Sequence, residues 1–440
     1  MEKFIEKFKS TAAAAGLTAD IYAEKLYKSE VAANDGEIDR VQESDTFGAA
    51  VRVFKDGKMG FAYTSSPDPD AVVPIIEKAR ASMFVDGYSG LDFRPFSGEN
   101  SIKMKDPGFE EATLEKKKAR ALSVEGAAKA ESTKVKYVRD TTCVDMLSRT
   151  AYFNTAGARY DYEKTYSYMF TSAVASDGTS DEAADVMDGG AIWSKLDPVE
   201  LGRQAGGRAA SLLSGGPVKT GEYSLIIPSY AAVEFLQVIS PMFSAANLRK
   251  GKTLLAAIKE GETIASAAVN LIDDPCMDYG AGSYPADAEG FEGKTKKLID
   301  AGKFTGFIYD MKETAFYKKS ASGNSARISY KSLPEPGVSN FYMAPGAEKT
   351  TEILKKEKGI FVNSMMGLHM TDTVSGNFSL GINGWVFESG EKKGAVKEVL
   401  ITGNIRDFLK NISAAGDDMK FYMNFGSPTL FVKGITVAGK

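Results

Sequence analysis

The side chains that could carry chemistry are few. His369 is the only histidine among 440 residues, which excludes every mechanism that needs two imidazoles, HExxH zinc hydrolysis and multi-histidine metal centres included. Cys143 and Cys276 are the only thiols and lie far apart in the chain. They form neither a CxxC pair nor a disulfide framework and read as small buried residues. Two acid pairs, Asp273-Asp274-Pro275 and Asp417-Asp418, could bind a cation, but acids beside proline and glycine more commonly close turns and cap helices. The run Asp177-Gly178-Thr179-Ser180-Asp181 falls short of an EF-hand loop, because neither the spaced acid ligands nor a closing glutamate line up. No GxGxxG or Walker loop is present. His369 could act as a general base, yet no partner for it is visible, and a structural or surface place suits it better.

The element around which the rest is organised runs from Gly359 to Glu391. Its alternation of apolar with small or polar residues, as in Phe378-Ser379-Leu380-Gly381-Ile382 and Trp385-Val386-Phe387, predicts two paired strands with one buried face. Gly376, Gly381 and Gly384 inside that pattern mark a bent sheet corner, or a channel wall against which an extended peptide could lie. Upstream, residues 2–15 suit an amphipathic helix with Phe4, Ile5 and Phe8 on one side. Asp20 to Tyr63 reads as strands with a Lys55-Asp56-Gly57-Lys58 hairpin turn. Asp68-Pro69 opens a helix whose face is Val72, Ile76, Ala79 and Met83. Residues 86–109, with Gly87, Gly90, Pro95, Gly98 and Pro107, read as a loop or linker.

A helix from Glu110 to Glu131 precedes a strand meander turning at Asn154-Thr155-Ala156-Gly157. Tyr160, Tyr162, Tyr166 and Tyr168 form a period-two stripe in it, best explained by cross-strand or core packing. Asp197, Pro198 and Glu200 announce the next helix, which ends at Gly215-Gly216. From Tyr223 onward strand-like runs dominate, interrupted by helices at about 229–240 and 404–413. The expected fold class is α+β, an N-terminal α/β region followed by a mostly antiparallel β C-terminal domain. The expected segments are 1–90, 110–216 and 220–440.

Charge narrows the function classes. Lysine and arginine (54) nearly balance aspartate and glutamate (58), and the formal net charge is -4. That offers no broad field for nucleic acid, so direct DNA binding is disfavoured. Glu234 and Gln237 interrupt the best candidate for a membrane span, and the first residues lack the apolar run of a signal peptide. A soluble cytoplasmic protein is the expectation.

Several strings occur in an order that resembles the PmbA/TldD family. They are the GAAVRVFKDGKMGFAYTSS run; Asp287-Ala288-Glu289-Gly290 with Asp300-Ala301-Gly302-Lys303; and Arg327-Ile328-Ser329-Tyr330, Pro334-Glu335-Pro336, Ser339-Asn340 and Met343-Ala344-Pro345-Gly346. Val374-Ser375-Gly376-Asn377-Phe378-Ser379 follows with Gly384 and Glu388-Ser389-Gly390-Glu391, then Ile401-Thr402-Gly403-Asn404 with Gly416-Asp417-Asp418. In TldD-type chains of this family an HExxxH motif binds a catalytic zinc. The corresponding residues here are Leu236-Gln237-Val238-Ile239-Ser240-Pro241. Leucine has no lone pair, proline offers no side-chain ligand, and glutamine cannot take up a proton as glutamate does. The C-terminal cysteine ligand is missing too, since the chain reads Asn424-Phe425-Gly426-Ser427-Pro428.

The resemblance therefore implies a PmbA/TldE-type subunit with no catalytic residue, metal or cofactor of its own, zinc being expected only in a TldD-type partner. The implied activity of the pair is that of a peptidase on unfolded peptides such as microcin precursors and antitoxins. The chain is expected to pair with a TldD-type subunit or with itself and to grip an extended peptide by strand addition. Ser339, Asn340, Ser375, Gly376, Asn377, Phe378 and Ser379 are the candidate gripping residues. A homo-oligomeric peptide-binding protein that does not cut, or a regulator contacting DNA gyrase through protein surfaces, are the alternatives.

Overall fold

The computed structural model describes residues 1–89, 93 and 101–440. Gly90, Pro95 and Gly98 of the expected linker lie outside them. The chain begins with α1 (Glu2–Ala14) and continues into β1 (Thr18–Asn34), β2 (Glu37–Lys55) and β3 (Lys58–Thr64). The β2–β3 turn is the expected one, with Asp56 and Gly57 at φ 51° and 75°, the left-handed pair that a two-residue hairpin needs. A second such turn, at Asp35 and Gly36 (φ 54° and 80°), joins β1 to β2. Next come α2 (Val72–Ala81), β4 (Val85–Asp86), α3 (Leu114–Glu131), β5 (Val135–Asn154), β6 (Arg159–Ser176), β7 (Asp181–Gly190) and α4 (Pro198–Leu212). Asp197 caps α4 by accepting from the Glu200 N–H at 3.0 Å.

All seven strands form one antiparallel sheet in the order β4-β3-β2-β1-β5-β6-β7. The long β1–β5 ladder, from Asp20 opposite Asn154 to Ala33 opposite Thr141, fuses the first two segments. Strand periodicity gives this sheet two different faces. Odd-numbered residues of β1 point to the helices: Ala19, Ile21 and Ala23 pack with α1 and α2, Val31 and Ala33 with α3 and α4. Even-numbered residues, Asp20, Tyr22 and Glu24, point the opposite way, toward the C-terminal domain.

That domain comprises β8 (Gly221–Ile227), α5 (Ser229–Ile239), α6 (Ala245–Arg249), β9 (Leu271–Asp273), β10 (Lys296–Asp300), β11 (Lys303–Phe304), α7 (Met311–Tyr317), β12 (Ser325–Ala326), β13 (Glu335–Pro336), β14 (Phe341–Met343) and α8 (Thr350–Lys356). It continues through β15 (Lys358–Met366), β16 (Asn377–Glu388), β17 (Glu391–Asn404), α9 (Ile405–Asn411), β18 (Ile412–Ala415), β19 (Lys420–Tyr422), β20 (Phe425–Ser427) and β21 (Leu430–Ala438). One six-stranded sheet runs β11-β10-β9-β14-β20-β19. The other runs β17-β16-β15-β8-β21-β18 and closes on itself through an added β17–β21 pairing. Among the described strands only β8–β15 and β14–β20 pair in parallel, so the α+β architecture with a mostly antiparallel C-terminal domain holds.

α5 and α9 fall where expected. α6, α7 and α8, each seven residues or fewer, do not appear in the sequence reading. β9 is preceded by irregular chain in which Ala265 and Val269 are buried and Ala267 is exposed, held by scattered bonds such as Ser266 N–H to Leu409 O at 3.1 Å. Gly384 marks the expected sheet corner: both β16 ladders shift register beside it, and a Cβ there would sit 1.9 Å from the Phe361 carbonyl oxygen.

Candidate functional site

α5 carries the positions where a metal helix would hold its ligands. It is placed by a strand-to-helix turn in which the Pro228 carbonyl accepts the Ala231 and Ala232 N–H groups. A mainly apolar face, with Phe235, Leu236 and Ile239, locks it into the C-terminal core. Leu236, 1% exposed, therefore points into the protein, away from the surface its aligned place would require. The outward face consists of Tyr230, Glu234, Gln237 and Pro241, spaced at three to four residues as one face demands. Arg208 stacks 3.7 Å over the Tyr230 ring. Desolvation pushes the Glu234 carboxyl up to about 7. β20, where a C-terminal thiolate would stand, packs against α5 and brings Ser427, buried and bonded to the Pro428 carbonyl at 2.8 Å.

A zinc ion needs three or four nitrogen, sulfur or carboxylate donors converging at about 2.0–2.3 Å. This face supplies one carboxylate and one amide, so the residues present do not fit the ion. Among the described residues no three His, Cys, Asp or Glu side chains converge anywhere else as metal ligands. His369 is exposed on a short turn after β15. Cys143 is buried and Cys276 exposed, the latter against expectation.

Ser339 and Asn340 are inside the protein, 1% and 0% exposed. The Ser339 hydroxyl donates to Asp273 at 2.8 Å, and the Asn340 amide donates to the Asp274 carbonyl and Ser283 Oγ at 2.7 and 2.8 Å while accepting from Gly282 N–H at 2.7 Å. A peptide would have to break those bonds to reach them. Ser375, Asn377 and Ser379 are exposed, Gly376 and Phe378 buried, and Phe378 meets the Phe408 ring edge-on at 5.9 Å. The expected strand addition near Gly376–Gly384 meets an obstacle, because β16 is paired on both edges, with β15 and with β17, and has no free backbone edge to offer. The acid pairs prove to be turn and cap residues. Asp274 accepts from Cys276 N–H and Thr295 Oγ1, and Asp417 and Asp418 bind the Thr350 and Thr429 N–H groups.

The polar face of the N-terminal sheet holds the most concentrated chemistry. Arg52, fully buried, binds Asp20 through Nε and Nη2 and Glu289 through Nη1. Tyr152 donates to the Glu289 carbonyl at 2.9 Å and Tyr160 to the Asp287 carbonyl at 2.6 Å. The Asp287-Ala288-Glu289-Gly290 motif thus fastens the C-terminal domain to the sheet. Beside this fastening lies a cleft of about 400 Å³ between β1, β5 and β6 and the segments 282–288 and 325–328. Tyr152, Tyr160 and Tyr162 stack along it at 5.3 and 6.0 Å, so the expected cross-strand packing of the stripe is real for this part, and its outer end forms a wall of the cleft.

Lys164 Nζ donates to the Ala281 and Ser283 carbonyls at 2.8 and 3.2 Å, and burial holds its ammonium down to about 8. Burial raises the Glu24 carboxyl. Burial, with Glu289 beside it, pushes Asp287 up to about 7 against three backbone N–H donors, those of Glu289, Phe291 and Ser325. The sequence reading passed over Glu24 and Lys164. Their charge on a strand looks like a solvent face, and only the docking of the second domain makes it an enclosed one.

Comparison with known proteins places all three segments in one family. Models described as PmbA/TldA metallopeptidase domain 1, central domain and C-terminal domain match residues 19–82, 107–213 and 220–439. A "Metalloprotease" of Methanothermobacter thermautotrophicus is 29% identical over 92% of this chain and 89% of its own. "Metalloprotease PmbA" of Escherichia coli O157:H7 is 22% identical over 100% and 97%. The crystal structure of TldE from Thermococcus kodakarensis superposes with a TM-score of 0.89 at 23% identity, covering 99% of this chain and 100% of that one. With its C-terminal half and both preceding segments matched in order, this chain belongs to the PmbA/TldD family.

Proposed function

We propose that the chain is a PmbA/TldE-type subunit: it shapes the peptide-holding cavity of a two-component cytoplasmic peptidase, and a TldD-type partner supplies the zinc. The observation that carries this reading is the outward face of α5, where Tyr230, Glu234, Gln237 and Pro241 stand in place of a ligand set, with the only histidine elsewhere. Substrates are unfolded peptides, held by contacts to their backbone and so with little regard to sequence. The barrel leaves no edge at β16, so a peptide gripped by strand addition would use another edge, such as β7, which among the described residues pairs only with β6. A cytoplasmic place fits the two unpaired cysteines, and no helix among the described residues is long and apolar enough to cross a membrane.

The test is hydrolysis of an unfolded polypeptide such as reduced casein by this chain, by a TldD-type chain and by their mixture, each with zinc. Turnover in the mixture with none above background for this chain alone is expected. Turnover by this chain alone defeats the proposal. Gyrase contact is the alternative partner reading, and capture of gyrase subunits from purified components would decide for it.

A further inference from the structure

Arginine presents Nε–H and the adjacent Nη2–H side by side, a fork that matches the two oxygens of a carboxylate. Arg52 uses that edge on Asp20. Arg327, at the mouth of the cleft beside the sheet, leaves the same edge unused. Its Nη1 donates to the Ser332 carbonyl at 2.6 Å and its guanidinium lies 5.2 Å from the Tyr22 ring centre, while Nε and Nη2 are shut off from solvent and have no hydrogen-bond partner. The nearby Ser325 hydroxyl, also lining the cleft, is buried without a partner. A buried donor left without a partner is costly, the more so when it is charged, and three such groups gathered along one wall favour an acceptor there.

Lys164 adds a second cation on the opposite wall, with one N–H beyond its two carbonyl bonds. The acids present are already engaged: Asp287 by three backbone N–H groups and Glu24 by the Tyr330 N–H at 3.3 Å. Lys25, also on the wall, is paired with Asp45. Tyr22, Tyr162 and Tyr284 supply flat apolar surface, and the volume suits one aromatic or aliphatic residue rather than a folded partner.

We infer that the cleft binds the free carboxylate of a small ligand bearing an apolar or aromatic side group, with the side group on the tyrosine faces and the carboxylate on Lys164 and on the Arg327 fork, whose closed nitrogens the ligand uncovers by displacing the side chains packed over them. The chain end of a peptide and a free amino acid share this chemistry. The inference is independent of the zinc-partner reading, since it concerns this chain alone.

Calorimetric titration of the full chain tests it with four probes at pH 7: the tripeptide Ala-Ala-Phe, its C-terminal amide, phenylalanine and acetate. Binding of the tripeptide or phenylalanine, with the amide weaker by about tenfold or more, is the expected result. Preference for the tripeptide assigns the site to peptide ends, and preference for phenylalanine assigns it to free amino acids. Arg327→Gln should lose at least about tenfold in affinity, and Arg327→Lys, which keeps the charge without the fork, should fall between. Should the variants fold poorly, the pH profile of the unaltered protein serves. Rising pH ionises Asp287 through about 7 and discharges Lys164 through about 8, each of which opposes a bound carboxylate, so affinity falls steadily from pH 7 to 9. Equal affinity for acid and amide, no binding of any probe at millimolar concentration, or a flat pH profile overturns the inference.

Discussion

Arg52→Met is expected to destabilise the protein by about 3–5 kcal/mol, the cost of stranding buried charges whose partner has gone. Asp20 and Glu289 each meet the guanidinium in a place with no solvent, and the Arg52 side chain is 0% exposed. Methionine keeps most of the volume, so the effect reads charge rather than a cavity. Because Glu289 belongs to the C-terminal domain and Asp20 to the sheet, the damage falls on their junction, and urea unfolding should split into two transitions as the domains uncouple. The triple variant Asp20→Asn, Arg52→Met, Glu289→Gln should recover part of the loss, since it removes the stranded charges along with the cation. A single transition at an unchanged midpoint for Arg52→Met would show that the network contributes nothing to joining the domains.

Gly202→Val should cost about 1–3 kcal/mol or more by overpacking. α3 and α4 cross so closely at this glycine that an added Cβ would lie 2.2 Å from the Val124 carbonyl oxygen and 2.8 Å from Ala127 Cβ. Backbone cannot turn aside as a side chain can, so the helices must separate, and both bury small residues, Ala128 and Ala205 among them, that a wider gap would leave unpacked. Gly126 on α3 is the control: an added Cβ there meets nothing within 4 Å, so Gly126→Ala should stabilise by about 0.8–1.0 kcal/mol through helix propensity. Opposite signs in chemical denaturation confirm the close crossing, and equal effects contradict it.

What the sequence discloses is what local rules determine. The Asp56-Gly57 turn, the Asp197 cap and the bend at Gly384 each follow from residues within a few positions. The ordered motifs place the family, though not what the motifs do: Asp287-Ala288-Glu289-Gly290 acquires a role only when Arg52 is found more than two hundred residues earlier. Helix α5 is legible as a helix, but its rotation is not, and the rotation sends Leu236 into the core while Glu234, Gln237 and Pro241 face outward. Strand pairing across the barrel depends on β21 returning to β17 from the end of the chain, so the loss of a free edge at β16 is invisible in its own alternation. The cleft is least legible of all. Glu24, Lys164 and Arg327 meet only because the even-numbered face of the sheet is covered by the second domain.

The central claim is that this chain lacks the donors to hold a hydrolytic metal ion by itself. The direct measurement is zinc content by plasma mass spectrometry, on the isolated chain equilibrated with micromolar zinc and then dialysed without chelator. The account predicts zinc far below one per chain, unchanged by Glu234→Ala. Zinc near one per chain, lost in Glu234→Ala, would contradict it by showing that α5 binds metal after all.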